Sequence, residues 1–326
     1  MKRFEFVSDG AWSGGGGAYF NNVAHAAARH SILAGGPGAI PVFPRNVPHG
    51  RNLPETYLLA PQNAWPWAIR GAAKSELRRV LLLRAASEWH MRRASAIHRI
   101  SGAIPTLGDP AKYSPVMHNP LDTGFEEALA ASEDESVPVA RGRFVAIGSL
   151  NSYRNVSTLF EGYRRYREGG GTHGLYVAGP PKAPEVLRCL QAQAQGIPDL
   201  EFHPGALSRP VALAALREAH AVVIPSRVEA SPFSVLEAVS LQPRVIPSAA
   251  LGVREILLRL KTADDEAFFD PDSPAALARA LWTPPDVSAD WHRALRTHAQ
   301  REQERLVWGD ELARWLESLE IPIPRP

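Results

Sequence analysis

Short apolar runs without polar alternation recur through the second half of the chain, each followed by a segment with helical spacing. Arg143–Gly148 (RFVAIG), Gly174–Ala178 (GLYVA), Leu200–His203, Ala221–Pro225 (AVVIP) and Arg244–Pro247 read as strands. Asn155–Glu168, Val186–Gln195, Pro210–Ala219, Phe233–Leu241 and Val253–Leu260 read as helices between and after them, and Ala267–Phe269 and Pro274–Trp282 close the series. A strand with no polar face must be covered on both sides, and alternation with helices supplies that cover. The pattern predicts an α/β fold built on a parallel sheet. No tandem repeat of fixed period competes with it.

The first half is less regular. Phe4–Ser8 is expected as a strand, Tyr19–Arg29 as a helix after a glycine run, and Tyr57–Ala60 as a strand. Ala72–Arg99 has helical composition, as two helices or as a helix, a strand and a helix. Residues 35–54 carry nine glycines and prolines in twenty positions, which predicts an irregular segment. Ser132–Arg141 (SEDESVPVAR), acidic and then Pro-containing, is the best interdomain linker. Asp290–Leu319 reads as helical. A chain of 326 residues accommodates two domains of about 150 residues each. The expected division is 1–138, 139–288, and a helical tail over 289–326.

Composition removes several function classes. With 36 basic against 34 acidic side chains, no field favours nucleic acid as a partner. The single cysteine, Cys189, excludes an internal disulfide framework and a cysteine-based zinc cluster. No apolar run reaches the ~18 residues of a membrane span. The start, Met1 to Asp9, has an early acid and no long apolar core, so it is not expected to be a secretory signal, and a cytoplasmic location is expected. The eleven histidines are scattered with no His-Glu-x-x-His pattern, so no metal is expected.

Two segments carry chemistry. Ser13-Gly14-Gly15-Gly16-Gly17 lies between the first strand and the first helix, where backbone N–H groups can approach a phosphate at a helix N-terminus; a flexible surface loop is the other reading. No Gly-Lys-Ser/Thr follows, so it is not a P-loop. The second segment runs from Pro225 to Ala238 (PSRVEASPFSVLEA), between an apolar strand and a helix. Ligands in such sheets bind at the C-terminal strand ends. Glu229 sits in the turn and Glu237 about one turn into the helix, and their eight-residue spacing lets both face one cleft if the turn folds back. N–H groups around Ala230, Ser231 and Phe233 are candidates for holding a phosphate; a plain helix with an exposed Glu and an ordinary first-turn acid is the other reading, and spacing alone favours it.

The second segment resembles the E-x7-E signature of retaining glycosyltransferases of family 4, which have the GT-B fold: two Rossmann-like domains facing across a cleft, with a C-terminal helix crossing back. Pro225, Ser226, Glu229, Leu236, Glu237, Ala238, Pro243 and Val245 match the family's run in register. Ser248 and Gly252 to Glu255 resemble its S-x-x-x-G-x-x-E stretch. Gly148 to Asn155 resembles G-T-L-x-P-R-K-N, and Gly179 and Gly205 fall where the family has glycines after its next strands. Departures are Arg154 for lysine, Ser149 for the arginine of other branches, Ala230-Ser231-Pro232 for Gly-Phe-Gly, and Gln242 for glycine. In the first half, Met117 to Asp122 resembles I-P-N-G-V-D, and the tail from Trp308 resembles the family's last helix. Neither His90 nor His98 is selected as a counterpart of the family's catalytic-face histidine.

The resemblance implies sugar transfer from a nucleoside-diphosphate sugar, the co-substrate, to an acceptor hydroxyl on a glycan, lipid or small molecule, with no bound cofactor or metal. It implies catalytic roles for Glu229 and Arg154. Donor contacts are implied for Gly15, Gly16, Gly17, Gly148, Ser149, Asn155, Ala230, Ser231, Pro232, Phe233 and Glu237. The basic, leucine-rich stretch 74–99 admits a peripheral membrane contact at the inner face, beside the plainer reading of a solvated helix. A non-catalytic nucleotide-sugar-binding protein, or another GT-B enzyme such as an epimerase, is the alternative.

Overall fold

A computed structural model of the chain describes residues 2–7, 15–33, 35–43, 56–61, 74–260, 265–285 and 288–321. The chain divides into two compact units. The first comprises Met1–Gly124, Ala230–Phe233 and Ala299–Pro326; the second comprises Phe125–Glu229 and Ser234–His298.

The first unit carries a parallel sheet in the order β1-β2-β3-β4-β5, from Phe4–Phe6, Ile40–Phe43, Leu58–Leu59, Ala96–Arg99 and Tyr113–Val116. Helices α1 (Gly15–Ala27) and α2 (Lys74–Arg93) belong to it. Strand β2 lies inside the segment expected to be irregular. Its Pro41 is tolerated because pairing with β3 starts only at Val42. Strand β5 carries Pro115 and lies at the sheet edge beside a register shift in β4, where a missing N–H breaks no ladder. The stretch 74–99 resolves into one helix and one strand. Ser13 and Gly14 lie outside the described residues, and Gly15–Gly17 form the first turn of α1 rather than a loop. Glycine is a poor helix former, but Tyr19, Val23 and Ala26 of α1 are buried in the core, and such packing outweighs propensity.

The second unit carries α3 (Thr123–Ala131), β6 (Phe144–Ile147), α4 (Val156–Glu168), β7 (Leu175–Ala178), α5 (Pro184–Ala194) and β8 (Leu200–His203). It continues with α6 (Arg209–Glu218), β9 (Ala221–Ile224), α7 (Phe233–Leu241), β10 (Val245–Pro247), α8 (Leu251–Leu260), α9 (Pro274–Trp282) and α10 (Ser288–Leu295). The strands pair in parallel in the order β10-β9-β6-β7-β8. Every expected second-half strand is present. The core gathers Phe144, Leu159, Phe160, Tyr163, Leu175, Val177 and Val223 from sheet and α4, with Leu277 of α9.

The expected linker is folded structure. Ser132 and Ala140 are fully buried, and the Arg217 guanidinium donates to Ser132 Oγ (3.1 Å) and Ser132 O (2.8 Å). The contact boundaries fall at 124/125 and 298/299, beside the 138/139 and 288/289 that the sequence predicts. Helix α11 (His298–Ser318) puts Trp308, Leu312, Ala313 and Leu316 into the first unit's core beside Phe4 and Tyr19. No helix among the described residues is long and apolar enough to cross a membrane.

His98, on β4, sits inside that core. It is fully buried, its Nδ1 lies 3.1 Å from the Tyr19 hydroxyl, and the rings of Trp308 and Trp315 flank it at 6.2 and 5.7 Å. Burial lowers its pKa to about 3 and keeps the imidazole neutral. In the unfolded chain the same group titrates near 6.5. Below that pH the unfolded state takes up the proton first, so stability is whole above pH 6.5 and drains away as pH falls toward 3. His220 in the second unit acts in the same sense, with a pKa lowered to about 4 by burial and by the charges of His173 and Arg244. Urea unfolding between pH 7 and 4.5 is therefore expected to show falling stability. Removing the imidazole in His98→Phe is expected to flatten that fall by up to about 1.4 kcal/mol per pH unit.

Candidate active site

Parallel pairing sends the C-terminal ends of β6, β7 and β9 to one edge of the second sheet, and two glycines let those ends converge. Gly148 (φ +154°) follows β6 and Gly179 (φ +153°) follows β7. A Cβ on Gly179 would lie 1.8 Å from the Gly148 carbonyl oxygen. Gly148 N donates to Ala178 O at 3.0 Å, and Leu150 and Pro181 bridge beyond it.

The chain then makes a tight turn over Ser152–Arg154, capped by Asn151, whose Oδ1 accepts from Arg154 N at 3.0 Å. Asn155 adopts a left-handed backbone (φ 61°, ψ 33°), a conformation Asn tolerates better than most residues. Its side chain does not cap α4. Instead Nδ2 donates to Pro225 O (2.9 Å) and Pro271 O (2.6 Å), tying the loop after β9 to the loop before α9. Asn155 is 2% exposed, so its amide serves the protein's own loops.

That tie sets the loop carrying Glu229. Arg154 Nη1 lies 2.5 Å from Glu229 Oε1, and Ser226 Oγ donates to the same oxygen at 2.7 Å. Ser226 is held in turn by Ser248, which donates from Oγ to Ser226 O at 2.6 Å. Arg227 N donates to Tyr153 O, and its guanidinium pairs with Asp272 at 2.7 Å. Glu229 is 9% exposed, and a carboxylate at that depth needs its cation and its hydroxyl donor.

A cleft of about 620 Å³ opens at this edge. Gly148, Arg154, Ser226, Ser234 and Glu237 give it polar positions, and Val156, Val177, Ala212, Leu216 and Val222 to Ile224 line its apolar floor and wall. Glu229 contributes no wall but contacts two residues that do. Ser149, half-buried, also stands outside the lining. Glu237, on α7, accepts on Oε1 from Arg209 Nε (3.0 Å) and Nη2 (2.8 Å). Ala230, Ser231, Pro232 and Phe233 are buried and group with the first unit, where Ser231 Oγ accepts from Asn119 N at 2.8 Å. Gly15, Gly16 and Gly17 also belong to the first unit.

The structure thus brings together Gly148, Arg154, Asn155, Glu229 and Glu237 around one strand edge. Sequence reasoning missed Asn151, Arg209, Ser248 and Asp272. Asn151 and Ser248 stand within motifs that the sequence matches. Among the described residues no group of three or more His, Cys, Asp or Glu is placed to hold a metal ion.

Because backbone overlap at Gly179 cannot be relieved by a rotamer change, Gly179→Ala is expected to cost at least about 2 kcal/mol in urea unfolding.

Residues 141–283 match the family model described as glycosyl transferases group 1. No curated protein matches the chain by sequence. Among solved structures, a UDP-forming α,α-trehalose-phosphate synthase from Burkholderia xenovorans superposes with a TM-score of 0.62 at 14% identity, covering 94% of this chain and 79% of that one. Sucrose-phosphate synthase from Thermosynechococcus elongatus gives a TM-score of 0.61 at 14% identity, covering 98% and 99%. An E. coli trehalose-6-phosphate structure bound with UDP-2-fluoro glucose gives 0.57 at 11% identity, covering 95% and 78%. These likenesses establish the GT-B fold, and within it residues 141–283 are the part similar to the glycosyl transferases group 1 family.

Proposed function

We propose that this chain moves a glycosyl group from a nucleoside-diphosphate sugar to an acceptor hydroxyl with retention at the anomeric carbon, as a family 4 enzyme. The observation that carries the reading is that Arg154 and Glu237 line one cleft at the C-terminal strand ends of the segment similar to the group 1 family. The cleft offers a cation for the diphosphate, a carboxylate for the ribose and an apolar wall between strands and α6.

In the reaction the bond from the anomeric carbon to the diphosphate oxygen breaks and the bond to the acceptor oxygen forms on the same face. The acceptor proton passes to the departing diphosphate. The cost is the charge developing on that leaving group. Arg154 stabilises it with a planar fork of N–H donors, which can bridge a phosphate and Glu229 together. Glu229, positioned by Arg154 and Ser226, accepts from donor-sugar hydroxyls and orients the ring. Glu237 accepts from the ribose hydroxyls. No step in this scheme draws on a metal.

The acceptor is a glycan, lipid or small-molecule hydroxyl. A lipid acceptor is supported by α2, which exposes Leu77, Leu81, Leu82 and Trp89 next to Arg78, Arg92 and Arg93. Such a face suits peripheral contact with an anionic bilayer surface.

Incubation with a panel of nucleotide sugars is expected to release free nucleoside diphosphate; binding without any release would favour the non-catalytic alternative. Arg154→Ala is expected to cut turnover by about 10²-fold or more, and unchanged turnover would remove Arg154 from the mechanism.

A further inference from the structure

Glu237 is paired with a residue that no motif singles out. Arg209 is the first residue of α6, after the Ser208 N-cap, and there is no acidic residue in that first turn. A cation at a helix N-terminus faces the positive end of the helix dipole and is placed against its electrostatic preference. The Glu237 carboxylate offsets this. Arg209 directs two donors, Nε at 3.0 Å and Nη2 at 2.8 Å, onto the single oxygen Oε1. Its guanidinium also stands 5.9 Å from the ring centroid of Phe125, a fully buried side chain of α3. Glu237 is 17% exposed and Arg209 33%. Helix α6 supplies Ala212 and Leu216 to the cleft and α7 supplies Ser234 and Glu237. A cation rooted in one wall therefore orients a carboxylate rooted in the other.

We propose that Arg209 is a positioning residue for nucleotide binding: it anchors Glu237 through Oε1 and sets the carboxylate plane that receives the ribose hydroxyls. This rests on the reading of Glu237 as the ribose acceptor. Two demands are met at once. A ribose diol needs an ionised carboxylate in one orientation, because both of its hydroxyls donate. An unneutralised carboxylate close to a diphosphate would repel the ligand, and the guanidinium cancels that charge locally. Lysine could cancel the charge but could not place two N–H groups from a planar fork on one oxygen.

The test uses the full chain and measures equilibrium binding of UDP, GDP and ADP, each against its 2′-deoxy counterpart. For the tightest-binding base, the wild type is expected to lose about tenfold in affinity when the hydroxyl is removed. In Glu237→Gln and in Arg209→Met, which keeps the aliphatic stem over Phe125, that ratio is expected to fall toward one. The double variant is expected to be no worse than Glu237→Gln alone. Arg209→Lys should be intermediate, and it is the deciding variant if Arg209→Met does not fold. A global stability defect would weaken ribose and deoxyribose ligands alike and leave the ratio unchanged.

If Glu237→Gln collapses the ratio while Arg209→Met and Arg209→Lys keep the wild-type value, the role of Arg209 is overturned and the ribose reading stands. If Glu237→Gln keeps the wild-type ratio, or none of the three nucleotides binds, the ribose reading fails and the inference fails with it.

Discussion

The contact on which the site's other interactions converge is the ion pair between Arg154 and Glu229. A carboxylate that is 9% exposed is expensive to keep charged, and it is kept by one guanidinium at 2.5 Å and one hydroxyl at 2.7 Å on the same oxygen. The surrounding contacts serve that geometry. Ser248 holds Ser226, Asp272 holds Arg227, and Asn155 links the loops at Pro225 and Pro271. The pair is a local interaction with long sequence separation, so it forms only once β6 and β9 are neighbours in the sheet.

Strand order explains why the site lies at this edge. With β9, β6 and β7 adjacent and parallel, three loops leave the sheet side by side. Gly148 and Gly179 bring two of them into backbone contact, and the Ser152–Arg154 turn then aims Arg154 across the third. The apolar floor comes from the same strands whose unbroken apolar runs require cover on both faces. One property of the sequence therefore builds both the sheet and the wall of the cleft.

Much of this was legible because it is local. The second-half strands announce themselves through AVVIP and RFVAIG, and the two glutamates through the motif that their segment resembles. What stayed illegible has physical causes. Pro41 and Pro115 disguise strands that survive because one pairs late and the other lies at an edge. Gly15–Gly17 read as a loop because glycine propensity is local, whereas the burial of Tyr19 and Val23 that makes them helical is not. Ser132–Arg141 reads as a linker from charge and proline, yet Arg217, remote in sequence, binds it. Asn155 has the right type and place for a ligand contact, and only its φ and its two carbonyl partners show that its amide ties loops together.

By itself the sequence determined the class of fold and the strands of the second sheet, and its resemblance to a known family singled out Arg154, Glu229 and Glu237 as candidates. The fold follows from periodicity and turn chemistry, which are readable along the chain, and the candidates follow from the resemblance of the two motifs. Only the tertiary structure decided which side chains face each other. It paired Arg154 with Glu229 and Arg209 with Glu237, it put α11 into the core of the first unit, and it grouped Ala230–Phe233 with that unit rather than with the strand they follow. Charge pairing depends on distances between residues far apart in sequence, and those distances are set by sheet order and packing.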